Sequence, residues 1–134
     1  MLCFVLLNHG NEERIVNILK EIHRTLKPGA SCLILETHPD SIGLKFSTFK
    51  SGSTNKVYDY GEARKAWLFL RSGKNLALAG HHWPKEMYYK ALLTAGFQRL
   101  TEQAPVLKDI PENKLKGYMS INKEPKRGGE FLFT

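Results

Sequence analysis

The chain has 134 residues, 42% of them hydrophobic and 25% charged, which suits one core and excludes collagen-like, disordered and disulfide-scaffold proteins. Its 20 Lys and Arg against 13 Asp and Glu give a net charge of +7, an invitation to an anionic partner, but the charges are scattered along the chain.

Leu2 to Leu7 form a continuous apolar run, the pattern of a strand buried on both faces of a parallel sheet. Asn8-His9-Gly10 ends it. Asn11 is placed to cap a helix, Glu12 and Glu13 suit the positive end of its dipole, and Ile15, Ile18, Leu19, Ile22 and Leu26 recur on one face. Lys27-Pro28-Gly29 stops that helix, because proline pushes the preceding residue out of helical geometry and Gly29 can take a positive φ. A second buried strand is predicted over Ser31 to Glu36. Strand, helix and strand make a right-handed βαβ unit over residues 1–39, and the fold class is α/β. Ligands of such sheets lie beyond the carboxyl ends of the strands, here Asn8-His9 and Glu36-Thr37-His38.

Residues 40–80 read as an insertion. Ala66 to Leu70 and Leu76 to Ala79 flank a Ser72-Gly73-Lys74-Asn75 turn and predict a β-hairpin, with a helix over Glu62 to Leu70 as the alternative. In residues 81–134, Pro84 suits a first helical turn, and Tyr88, Ala91, Leu92 and Ala95 share one face. Gly96 is placed as the carboxyl-terminal cap before a strand at Phe97 to Thr101. Phe131-Leu132-Phe133 predicts a last short strand after a polar, basic tail that holds Lys114, Lys116, Lys123, Lys126 and Arg127. No aromatics alternate with those charges, so a solvated loop is preferred to a nucleic-acid contact.

Cys3 and Cys32 sit in apolar runs and read as buried free thiols of a reducing, cytoplasmic compartment. Met1 to Leu7 is too short to span a bilayer and has no basic segment before it, so neither a signal peptide nor a membrane helix is expected. No His or Cys spacing suggests a metal site.

Several of these segments carry a family resemblance. Phe4-Val5-Leu6-Leu7-Asn8-His9, the turn Leu26-Lys27-Pro28-Gly29-Ala30 and the strand Cys32-Leu33-Ile34-Leu35-Glu36 resemble the middle of a class I S-adenosylmethionine-dependent methyltransferase. His82-Trp83-Pro84-Lys85-Glu86-Met87-Tyr88-Tyr89, leading to Ala95-Gly96-Phe97, is similar to that family's next helix and its exit. The resemblance begins at the fourth strand of the family's seven-stranded sheet. It implies a partial Rossmann-like sheet of parallel strands with crossover helices, a hairpin insertion and a final antiparallel strand, all in one partial domain. The family's glycine-rich cofactor loop and ribose-binding acid find no counterpart here. Met1 to Leu7 would then be an open apolar edge, expected to pair with another chain, to rearrange, or to mark a piece of a longer protein.

The resemblance implies S-adenosylmethionine as cofactor, touched by Leu7 and Asn8, and His9 as a catalytic base or substrate contact. An unperturbed histidine pKa near 6.5 suits that role; the alternatives are a His9 that caps the helix and an Asn8 that shapes the turn. Glu36, Tyr58, Tyr60, His81, His82 and Trp83 are the candidate acceptor contacts, with Trp67 joining the two tyrosines in an apolar pocket and Trp83 as a lid. The competing reading has Glu36 solvated, the tyrosines packing the insertion onto the sheet and Trp83 packing on its helix. Methyl transfer from a sulfonium needs alignment more than acid or base, so these residues do not name the acceptor. A small molecule is favoured by the short aromatic insertion. The alternatives are an inactive half-domain that binds protein through its open strand and a basic nucleic-acid module.

Overall fold

The computed structural model describes residues 1–105, 109, 111 and 130–133, the last four by backbone alone. The described residues form two sheets and two α-helices. The first sheet has the order β1 (Leu2–Cys3), β2 (Ile34–Thr37), β7 (Glu130–Phe133), β6 (Glu102–Gln103), and the second has β3 (Phe49–Ser51), β4 (Ala63–Phe69), β5 (Asn75–His81). Leu2 pairs with Ile34 and Cys3 with Leu35 in parallel, whereas β7 runs antiparallel to both β2 and β6. The α/β class and the final antiparallel strand are as expected. The tail lysines and Arg127 lie outside the described residues.

Helix α1 (Glu12–Thr25) starts where Asn11 accepts the Arg14 amide at 3.1 Å, one of the N–H groups that a helix start cannot satisfy by itself. It ends at the Lys27-Pro28-Gly29 turn, with Gly29 at φ +77°. Helix α2 (Lys85–Ala95) follows Pro84 and closes on Gly96 at φ +106°, a conformation that costs other residues about 1–2 kcal/mol. Ile15 and Leu19 of α1 pack with Met87, Tyr88, Ala91 and Leu92 of α2 in one cluster that also takes in Leu6, Ile34, Trp83 and Ala95. Each large apolar side chain buried there contributes about 1.5–3 kcal/mol.

Two expectations are corrected and one is extended. The first strand covers two residues rather than Leu2 to Leu7: Phe4 turns into left-handed backbone at φ +53°, and Leu6–Asn8 form a 3-10 turn. The physical reason is a carboxylate from β2 that captures the amides after Phe4, described below. Leu6 alone of this run is fully buried, while Phe4 and Val5 are exposed. The strand expected at Phe97 to Thr101 lies at Glu102–Gln103 instead, because Phe97 and Leu100 pack sideways against the core. The hairpin of the insertion forms, with Trp67 opposite Ala77 and Leu68 opposite Leu76, and it gains a third strand, β3, that sequence reading did not anticipate. Cys3 and Cys32 are half-buried free thiols. Among the described residues no helix is long and apolar enough to cross a membrane, and no cluster of His, Cys, Asp and Glu could hold a metal ion.

Candidate active site

Beyond the carboxyl ends of β1 and β2 the chain folds over itself. Glu36 projects from β2 and is 0% exposed; its Oε1 accepts the Leu6 amide at 2.9 Å. Burial pushes its carboxyl up to about 7, against the pull of the Leu6, Leu7 and Val5 amides and of the Arg64 charge. Among the described residues its Oε2 has no hydrogen-bond partner. Glu36 is therefore neither solvated nor open to an acceptor: it anchors the turn that carries Leu7, Asn8 and His9.

Each of those three residues is engaged locally. The Leu7 side chain lies against Gly80, where an added Cβ would meet it at 3.0 Å. The Asn8 side-chain amide donates to the Phe4 carbonyl at 2.8 Å and shapes the turn. The His9 carbonyl accepts the indole N–H of Trp83 at 2.9 Å, and the His9 side chain is half-buried. Next to it the His81 ring fills the space over Gly10, where a Cβ would lie 2.5 Å from Nε2.

Tyr58 and Tyr60 of the insertion meet His82 and Trp83 ahead of α2. The Gly61 amide donates to the His82 carbonyl and the His82 amide to the Glu62 carbonyl, each at 2.8 Å, so the 58–62 loop is sewn to the start of α2. The Tyr60 ring meets Trp83 edge to face at 5.1 Å, and Tyr58 lies 6.2 Å from His82. Gly61, at φ +72°, leaves room for the Trp83 ring, which a Cβ would meet at 3.1 Å. Tyr60 is 55% exposed, and its hydroxyl donates to Glu12 at the start of α1. Burial and that carboxylate push the phenol up to about 12. The Tyr58 hydroxyl accepts the Ser53 amide at 2.9 Å. Burial, followed by the Arg64 charge, moves His82 below its ordinary pKa, and the Nδ1 atoms of His81 and His82 are buried without a hydrogen-bond partner among the described residues. Trp83, at 4% exposure, belongs to the core and packs with Met87 and Tyr88 of the helix that follows it, as the competing reading expects.

Sequence reading missed the residue that joins the two sheets. Arg64 of β4 is 8% exposed; it donates to the His81 carbonyl at 3.1 Å, to Thr37 Oγ1 at 3.0 Å and to Ser51 Oγ. Burial holds its guanidinium below the ordinary arginine range, while Tyr88 and Glu36 raise it. An arginine in an exposed hairpin carries no mark of burial. Its only sequence signal is position, two residues from the apolar run Ala66 to Leu70 and on the same face as Ala66.

Over 101 residues the chain is 39% identical to an N-demethylindolmycin N-methyltransferase of Streptomyces griseus. The match takes in 75% of this chain and 42% of that protein, so the chain spans less than half the length of the curated relative it matches. No family model matches the chain. Homology on this scale makes the chain a partial relative of the S-adenosylmethionine-dependent methyltransferases that its sequence resembles.

Proposed function

We propose that the chain supplies the acceptor side of a domain that transfers a methyl group from S-adenosylmethionine to a nitrogen of a small molecule. The observation that carries this reading is the 39% identity over 101 residues with an N-methyltransferase. The gathering of Tyr58, Tyr60, His81 and His82 beside the turn of Leu7, Asn8 and His9 supports it, since aromatic rings with polar tips suit a flat, amine-bearing acceptor.

The described residues do not by themselves fit the cofactor. Asn8, the His9 carbonyl and Glu36 Oε1 are engaged within the chain, Leu7 packs on Gly80, and no glycine-rich loop of the described residues faces that end. Held by the rest of such a domain, S-adenosylmethionine would supply an activated methyl group; the part proposed for this chain is to orient the accepting nitrogen and exclude water. His9, half-buried in the turn, is the proposed acceptor of the proton that the nitrogen sheds. The free edge of β1, with Met1 82% exposed beside exposed Phe4 and Val5, is the proposed join to the rest of the sheet. Calorimetric titration of the purified chain with S-adenosylmethionine tests the division of labour. No saturable heat is expected from the folded chain; saturable binding would place the cofactor site within these residues.

A further inference from the structure

From the β5 edge, we propose that this chain forms a two-fold symmetric dimer by antiparallel pairing of Asn75–Ala79 with the same segment of a second copy. Among the described residues, the strand order β3-β4-β5 leaves one side of β5 unpaired. Hairpin hydrogen bonds fix which groups lie there. The Leu70 amide bonds the Lys74 carbonyl and the His82 amide the Glu62 carbonyl. With the register Leu68↔Leu76, Ala66↔Leu78 and Arg64↔Gly80, Leu76, Leu78 and Gly80 turn their backbone toward β4. Asn75, Ala77 and Ala79 turn theirs outward.

This edge lacks the devices that keep edges apart. It carries no charge, no proline and no bulge from Asn75 to Gly80. Every residue from Asn75 to Ala79 is exposed, whereas Gly80 is buried and His81 half-buried where the Leu6–Asn8 turn lies against them. The accessible stretch is therefore five residues, and its centre is Ala77.

Symmetry selects the occupant. Leu76-Ala77-Leu78 reads alike in both directions. A copy related by a two-fold axis at Ala77 sets Ala77 against Ala77 and Asn75 against Ala79, exchanging the outward hydrogen bonds. The same register places Leu76, 47% exposed, directly opposite Leu78, 41% exposed, on the other copy. One apolar face is then continuous across both hairpins, and the contact is closed, as an isologous interface must be. Because the edge is neutral, two chains of net charge +7 meet there without opposing lysines or arginines.

Sedimentation of the full chain combined with amide hydrogen exchange tests the proposal. The expected result is a particle of twice the 15.3 kDa chain mass in which the Ala77 and Ala79 amides exchange as slowly as those of Leu76 and Leu78. Ala77→Lys, at an exposed position, brings like charges together at the axis and is expected to give a folded monomer in which the Ala77-position and Ala79 amides exchange at least tenfold faster. A monomeric parent chain, a dimer with fast exchange at Ala77 and Ala79, a dimer that survives Ala77→Lys, or growth beyond two copies would each overturn it. Should Ala77→Lys fail to fold, exchange in the parent chain decides the matter alone.

Discussion

The carboxylate of Glu36 and the amide of Leu6, 30 residues apart in sequence, meet at 2.9 Å inside the protein. This bond ends β1 early and fixes the turn that presents His9. A buried acid with a carboxyl raised from the usual 4.5 to about 7 makes the fold bind a proton that the unfolded chain gives up.

The sign of the pH dependence follows. Between the ordinary value of 4.5 and about 7 the folded state holds more protons than the unfolded one, so the Glu36 contribution is fully present below 4.5 and is lost as pH rises through 7. It amounts to something on the order of 3 kcal/mol. Glu36→Gln keeps an oxygen for the Leu6 amide and cannot ionise. Urea denaturation from pH 5 to 8 is expected to show stability falling with pH in the parent chain and a flatter profile in the variant.

Arg64 holds Thr37, Ser51 and the His81 carbonyl together. Arg64→Met fills much of the same volume but leaves these buried partners without their donor, at a cost of about 3 kcal/mol or more. It also removes a positive charge that favours ionised Glu36. The Glu36 transition is therefore expected to move to higher pH in the variant, which nuclear magnetic resonance titration of that carboxyl would read.

Trp83→Phe deletes the N–H that reaches the His9 carbonyl 74 residues away while keeping an aromatic ring in the core. A loss of about 1–3 kcal/mol is expected from the unpaired carbonyl and the smaller ring. Amide exchange at Asn8 and His9 should quicken more than exchange in the middle of α2.

Gly61→Ala forces a side chain onto backbone at φ +72° and sets its Cβ 3.1 Å from the Trp83 ring. The backbone alone costs about 1–2 kcal/mol. Denaturation is expected to show at least that loss, with a changed near-ultraviolet signal as the Tyr60–Trp83 contact opens. Gly73→Ala, also at positive φ but with nothing within 4 Å of its Cβ, is the comparison: it should lose stability without that spectral change.

Much of the frame is legible where local chemistry decides. Pro84 and Gly96 bracket α2, and Tyr88, Ala91, Leu92 and Ala95 are buried as their spacing implies. Asn11 caps α1 in the way its position before two glutamates suggests. The hairpin forms around Gly73, at φ +78°. What could not be read locally depends on groups far apart in sequence. An apolar run from Leu2 to Leu7 looks like strand until Glu36 takes its amides. Arg64 looks like surface until Thr37 and Ser51 come to it. Strand β3 is three residues long and depends on β4 for its pairing. In the candidate site, the turn-shaping bond of Asn8 and the packing of Trp83 stood among the alternatives the sequence offered, but the burial of Glu36 against an amide 30 residues away did not.

The central claim is that these residues form the acceptor side of a methyl-transfer domain. The most direct measurement replaces the matching stretch of the Streptomyces griseus N-methyltransferase with this chain and follows labelled methyl from S-adenosylmethionine to small aromatic amines. Transfer by the folded hybrid, weakened when His9 or Tyr60 is replaced by alanine, is the predicted result. A hybrid that folds and binds S-adenosylmethionine but methylates no small amine would contradict the account.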